Sequence, residues 1–331
     1  MVNNTKINNT KINNTKINNT KINNTKINNT KINKSRKKKY NRTKKVSHNK
    51  NFKKANCAPS TEKKDFTCYS DNALIKMKNL WNARHPDHKI ETDSTYEIWK
   101  QLKTNMQDVC DIESCWLKQQ FITHDVDKEL MNYTFTPKSP KSWLKNPTEW
   151  LSSVDIENVM KQYEKAYKCF DFIGPSPIDF DKRVMYGKCV WDELCNFNLK
   201  NHIKKGKNKI GMIFNTDPHY LNGSHWISLF INIKKKIIFF FDSNGDPVPK
   251  EIDVLCKRII EQAKAIGIEL TFNQNAPFEH QFENTECGMY SLYFITSMVM
   301  DKHECSYFAK HRITDAMMKQ MRLKMFTVGG E

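Results

Sequence analysis

His225-Trp226-Ile227-Ser228-Leu229-Phe230-Ile231-Asn232-Ile233 is followed by Lys234-Lys235-Lys236 and then by Ile237-Ile238-Phe239-Phe240-Phe241-Asp242. Two runs rich in β-branched and aromatic residues, joined by three lysines, read as a pair of strands and a tight turn. Every residue from Ile237 to Phe241 is apolar, so both faces of that strand need cover, which marks a position inside the sheet. A connection this short makes the pair antiparallel. His225 opens the first strand and Asp242 closes the second, so both fall at one end of the sheet. That brings a carboxylate within reach of an imidazole nitrogen.

Further strands follow the same logic. Lys209 to Asn215 and Ile268 to Asn273 are short apolar runs. Between the hairpin and the latter, Glu251 to Gly267 reads as an amphipathic helix closed by glycine. Cys287 to Met300 is apolar nearly all round and predicts a buried helix. Val154, Ile156, Val159, Met160 and Tyr163 suit a helix, and Ile313 to Met325 suits a last amphipathic one. Upstream, residues 66–135 read as mostly helical, with Leu74, Met77, Leu80 and Trp81, then Tyr96, Trp99 and Leu102, at helical spacing. Asp71 and Thr95 are the expected caps. Cys110 and Cys115 make a poor zinc half-site with no matching second pair, so buried structural thiols are expected there. A Pro-rich stretch from Pro137 to Pro147 parts the two patterns. The expected organisation is a basic low-complexity tail (1–56), a helical accessory block (57–140), an α+β domain (145–325) with a central mixed sheet and a buried helix, and a short tail (326–331).

Charge supports this division. The 331 residues carry a formal net charge of +18, yet residues 1–56 hold 17 of the 54 Lys and Arg and no acidic residue. The rest hold 37 basic against 36 acidic side chains, close to neutral. Asn-Asn-Thr-Lys-Ile repeats six times from Asn3 to Ile32, with a period that fits neither helix nor strand, and predicts disorder. The run Lys34-Ser35-Arg36-Lys37-Lys38-Lys39 is a solvated arm or a contact for nucleic acid or nuclear import. Ten cysteines without a regular framework, and no signal peptide, predict free thiols in a reducing compartment. The longest strongly apolar run, Ile237 to Phe241, is far too short to span a bilayer.

The chemistry centres on Gln281-Phe282-Glu283-Asn284-Thr285-Glu286-Cys287-Gly288. A thiol is a good nucleophile only as thiolate. Cys287 stands where a buried helix begins, facing the positive end of its dipole, and Gly288 leaves room for close approach of backbone. His225, with an ordinary pKa near 6.5, suits the role of general base. Asp242 suits that of the acid orienting it. Gln281 can supply an N–H to an oxyanion, with the Cys287 backbone N–H as second donor. The reaction needs no metal or cofactor.

These residues resemble the Ulp1-like family of cysteine proteases, in the papain-like clan that includes SUMO-deconjugating enzymes and the adenovirus maturation protease. The family pattern of His-Trp, aromatic-Asp-Ser and Gln-x5-Cys-Gly stands here as His225-Trp226, Phe241-Asp242-Ser243 and Gln281 with Cys287-Gly288. Trp150-Leu151 is similar to the Trp-Leu opening the family's catalytic domain. The resemblance implies a papain-like fold over about residues 145–325 and a Gly-Gly tunnel walled by Trp150 and Trp226. Asp217-Pro218-His219, the helical block and the repeat tail look like thiol proteases of large DNA viruses, whose implied role is processing structural precursors after Gly-Gly in the virion or host cytoplasm. Protein precursors or ubiquitin-like conjugates are the implied substrates. The chain's own Val328-Gly329-Gly330-Glu331 suggests self-recognition. The contrasting readings are an inert basic-tailed nucleic-acid or scaffold protein, and acyltransferase chemistry on the same triad.

Overall fold

The computed structural model describes residue 52 and residues 55–61, 64–122 and 128–327. The Asn-Asn-Thr-Lys-Ile repeat, the basic run after it and the Val328–Glu331 tail lie outside the described residues.

The elements run α1 (Asp71–Arg84), α2 (Thr95–Met106), α3 (Lys128–Tyr133), α4 (Ser153–Ala166), β1 (Phe170–Pro177), α5 (Asp192–Cys195), α6 (Leu199–Lys204), β2 (Lys209–Asn215), β3 (Trp226–Asn232), β4 (Ile237–Phe241), α7 (Lys250–Lys264), β5 (Thr271–Gln274), α8 (Cys287–Val299), α9 (Cys305–Phe308) and α10 (Asp315–Met325). The strands form one mixed sheet in the order β1-β2-β3-β4-β5. β1 and β5 pair in parallel with β2 and β4, and the three inner strands are antiparallel. The expected hairpin is present, with Ser228 opposite Phe241 and Asn232 opposite Ile237. Its second strand has a neighbour on each side, as its apolar faces require. The parallel strand β1 carries Gly174-Pro175-Ser176-Pro177, a turn-like string that hid it from sequence reading.

Pleating divides the strand side chains between two cores. Phe239 and Phe241 join a cluster with α4, α8 and α10 on one face. Ile238 and Phe240 join another with α7 on the opposite face. All thirteen residues of α8 are buried. Close approach of α8 to the sheet depends on Gly211 in β2, where a Cβ would lie 2.9 Å from Ile295 Cγ2. The architecture is a papain-like α+β fold with a five-stranded mixed sheet and helices on both faces.

The N-terminal helices pack around a third cluster that includes Leu74, Met77, Trp81, Ile98, Leu102 and Trp116. Their N-caps differ from expectation by one residue. Ser70, not Asp71, accepts from the Ala73 N–H, and Ser94 precedes Thr95, which is the first helical residue. Ser70 is an extended residue whose side chain turns back to a first-turn amide, whereas Ser94 holds the N-cap position of α2 without a side-chain cap bond. Gln162 of α4 donates to the Asn132 and Phe135 carbonyls at 2.8 Å, joining this block to the sheet-bearing part.

The expectation of free thiols throughout does not hold. Cys57–Cys68, Cys110–Cys115 and Cys189–Cys195 are disulfides, leaving Cys169, Cys256, Cys287 and Cys305 free. Each bonded pair is separated by 11 residues or fewer, and the local turns bring the Cα atoms to 5.2–6.3 Å, within bridging range. Alkylation of denatured, unreduced protein is therefore expected to tag four thiols, rising to all ten after reduction. Ten tags without reductant would refute the pairing. Among the described residues, no helix is long and apolar enough to cross a membrane.

Candidate active site

The sheet brings His225 and Asp242 together. His225 lies one residue before β3, where its carbonyl accepts from Thr216 N–H at 2.9 Å and extends the ladder. Asp242 lies one residue beyond β4. The His225 Nε2 and Asp242 Oδ1 atoms are 2.7 Å apart. The carboxylate is nearly buried, at 4 % exposure. Its Oδ1 also accepts from Asn244 N–H at 2.9 Å, and Asn275 clamps its backbone from both sides: Asp242 N–H donates to Asn275 Oδ1 at 2.9 Å, and Asn275 Nδ2 donates to the Asp242 carbonyl at 2.7 Å.

Cys287 is the first residue of α8, and it lines the same cleft as His225. Burial opposes the charged ring, but hydrogen bonds and charge from Asp242 and then Cys287 outweigh it and raise the imidazole from 6.5 to about 10. The site thus favours an imidazolium. Gly288 makes room, though not for backbone: a Cβ there would sit 3.0 Å from Leu151 Cβ. Leu151 reaches this point because Ser152 caps α4 in a reciprocal box with Asp155.

Gln281 is held at both ends of its amide. Ser243 Oγ donates to Gln281 Oε1 at 2.8 Å, and Gln281 Nε2 donates to the Glu283 carbonyl. One amide proton remains for another acceptor. The loop is pinned from below: Gln281 and His280 N–H both donate to the Ser243 carbonyl, at 2.9 and 2.8 Å, and Phe282 N–H donates to Asp315 Oδ2 at 3.1 Å. The His280 ring is fully buried between the Phe308 carbonyl and the Ile313 N–H, and burial lowers its pKa. Unfolded chains bind that proton more readily, so this ring costs stability as pH falls below the ordinary value of about 6.5.

Trp150 and Trp226 flank the same place. Trp150 is half exposed, and its indole N–H donates to the Asn284 carbonyl at 2.8 Å. The Trp226 indole N–H donates to the Leu151 carbonyl at 2.9 Å. A cleft of about 640 Å³ holds His225, Gln281 and Cys287. Trp150 and Ser224 line both this cleft and an adjoining hollow of about 570 Å³ that Trp226 also lines. Five of the six residues singled out from sequence therefore line one groove, and the sixth, Asp242, lies behind it against His225.

Sequence reading missed three contributors. Ser243 and Asn275 hold Gln281 and Asp242, and only the Asp-Ser adjacency hinted at the first. The third is an ion pair, Arg322 with Glu286, next to the thiol. Arg322 Nη2 and Nε lie 2.9 and 3.1 Å from Glu286 Oε2, with exposures of 3 % and 0 %. Arg322 Nη1 also donates to the Glu149 carbonyl at 2.8 Å. Burial raises the Glu286 pKa against the opposing pull of Arg322.

A thiol heading a buried helix in one cleft with a His–Asp pair is the arrangement a cysteine-type peptidase needs. Residues 154–328 match the Ulp1 protease family, C-terminal catalytic domain, and the chain belongs to that family. A thiol protease candidate of Acanthamoeba polyphaga mimivirus is 28 % identical over 264 residues, covering 73 % of this chain and 84 % of its own length. The SUMO-1 cysteine protease of African swine fever virus is 26 % identical over 263 residues, covering 73 % and 94 %. The crystal structure of an African swine fever virus protease shares the fold, with a TM-score of 0.58 at 20 % identity over 83 % of this chain and 96 % of that one.

Proposed function

We propose that the chain is a cysteine endopeptidase using Cys287, His225 and Asp242, with Gln281 at the oxyanion, and that it cuts after Gly-Gly-type sites in structural precursor proteins. The observation carrying this is the His225 ring paired with Asp242 at 2.7 Å and lining one cleft with Cys287 and Gln281. The thiolate attacks the scissile carbonyl carbon. The carbonyl oxygen takes the negative charge and meets the Gln281 amide and the Cys287 N–H. The imidazolium then gives its proton to the leaving nitrogen, the C–N bond breaks, and a thioester remains. Water, deprotonated by the now neutral ring, adds to the thioester and releases the acid and the thiol. Trp150 and Trp226 narrow the acyl side of the groove, which restricts that side to small residues.

The test pairs a thiol-reactive probe with a panel of Gly-Gly-x peptides and ubiquitin-like fusions. Selective labelling of Cys287 over Cys169, Cys256 and Cys305, with cleavage after Gly-Gly, is the expected result. Cleavage confined to the fusions would favour a deconjugase, the reading suggested by the name of the African swine fever virus relative. Labelling spread over all four thiols would overturn the assignment of the nucleophile.

Two further outcomes follow. Gln281→Ala should lower kcat about 100-fold with little change in KM, since the bond forms in the transition state. The alkaline limb of kcat/KM should lie well above pH 6.5, because the folded imidazolium persists up to about 10. The same shift makes His225 a stabilising group below pH 6.5 whose contribution fades as pH rises towards 10. Asp242→Asn should bring the alkaline limb down, and an unmoved limb would count against the pairing.

A further inference from the structure

The groove does not stop at the reacting atoms. Trp150 and Ser224 continue it into the Trp226 hollow, the acyl side in the reading above. The remaining lining of the cleft is Asn244, Glu279, Phe282, Glu283 and Asn284, of which Asn284 accepts from the Trp150 indole. With the tryptophan hollow as the acyl side, a peptide threaded past Cys287 lays the residues after its scissile bond towards Asn244, Glu279 and Phe282.

Two side chains give that end its chemistry. Phe282 is 62 % exposed, unusual for a large apolar ring. It is held in place by Asp315 at its backbone and by Arg312, whose guanidinium carbon lies 3.4 Å from the ring centroid. One ring face is covered and the other is open. Glu279 is exposed, and its carboxylate has no ion pair among the described residues. Glu283 is occupied by Lys319 Nζ at 2.6 Å. The cleft lining includes no Lys or Arg. An open aromatic face beside an unpaired carboxylate matches an amphipathic cation, whose alkyl stem packs on a ring while its head stays with a counter-charge.

We propose that Phe282 and Glu279 form a subsite that selects lysine or arginine among the first residues after the scissile bond. This rests on Cys287 as nucleophile and on the tryptophan end as the acyl side. The substrates of the enzyme are then precursors whose cleavage sites read small-small, followed by a basic segment. Because the carboxylate is exposed, its selectivity is modest and sensitive to salt.

The test uses the full chain and peptides of the Gly-Gly-x type bearing Lys, Glu or Ala at each of the three positions after the bond, with matched changes before it. Wild type should favour Lys over Glu by about tenfold in kcat/KM at one of the later positions, shrinking at high salt. Glu279→Lys should invert that ratio, and Phe282→Ala should reduce it. A ratio near one in wild type, or a Lys preference untouched by Glu279→Lys, overturns the subsite. A preference that Glu279→Lys alters only before the bond overturns its placement. Cleavage surviving in Cys287→Ala would instead be a failure of the underlying catalytic reading.

Discussion

Cys287→Ala is expected to lower kcat by roughly 10⁴- to 10⁶-fold while leaving the protein folded. The residue sits at the head of α8 and lines the cleft, so loss of one sulfur opens no closed cavity in the core. His225→Ala should cost about as much, and the double variant little more, because nucleophile and base act as one unit. Asp242→Asn should fall by about 10⁴-fold, since the ring loses the acceptor that fixes its tautomer. Single-turnover cleavage of a Gly-Gly-x peptide, read beside a thermal unfolding curve, separates chemistry from folding. Residual activity within a hundredfold of wild type in Cys287→Ala would remove that residue from the reaction.

Arg322→Met is the corresponding case for stability. It leaves the Glu286 carboxylate at 0 % exposure without the cation that hydrogen-bonds it. Breaking such a buried pair costs about 3–5 kcal/mol, which for a chain of this size lowers Tm by on the order of 10 °C. Among the described residues Glu286 Oε1 already lacks a hydrogen-bond partner, so the variant leaves the carboxylate with neither oxygen bonded to a side-chain cation. Replacing both residues with methionine should recover most of the loss, because two matched apolar side chains need no solvation. The exposed Lys257–Asp253 pair, at 2.7 Å, is the control. Lys257→Met should cost less than about 1 kcal/mol. Equal shifts for Arg322→Met and Lys257→Met would show that the interior pair contributes nothing.

How much of this was legible in the chain depends on the range of the interaction. The hairpin, α4, α7, α8 and α10 follow from local periodicity, because a strand or helix shows its buried face in the order of its own residues. Even the meeting of His225 with Asp242 is a local inference, since a short turn, Ile233 to Lys236 in the structure, fixes the register. Cys287 was recognisable by its place ahead of an all-apolar helix and its spacing from Gln281. By contrast β1 was obscured by two prolines and a glycine, and it forms a strand because β2 offers it a parallel edge. The six bonded cysteines are not distinguished by composition from the four free ones, since pairing depends on turn geometry that no spacing rule encodes.

Along its own length the chain settled the identity of the elements and the residue types that could do the chemistry, because those depend on side chains a few positions apart. Only folding could settle what holds the reactive groups still. Asn275 reaches Asp242 across 33 residues, Ser243 reaches Gln281 across 38, and Arg322 reaches Glu286 across 36. The partners in these contacts are polar groups buried from water, and each must find a specific complement or destabilise the fold. Which complement it finds is set by how helices and strands pack in space, a relation the linear order of residues does not carry.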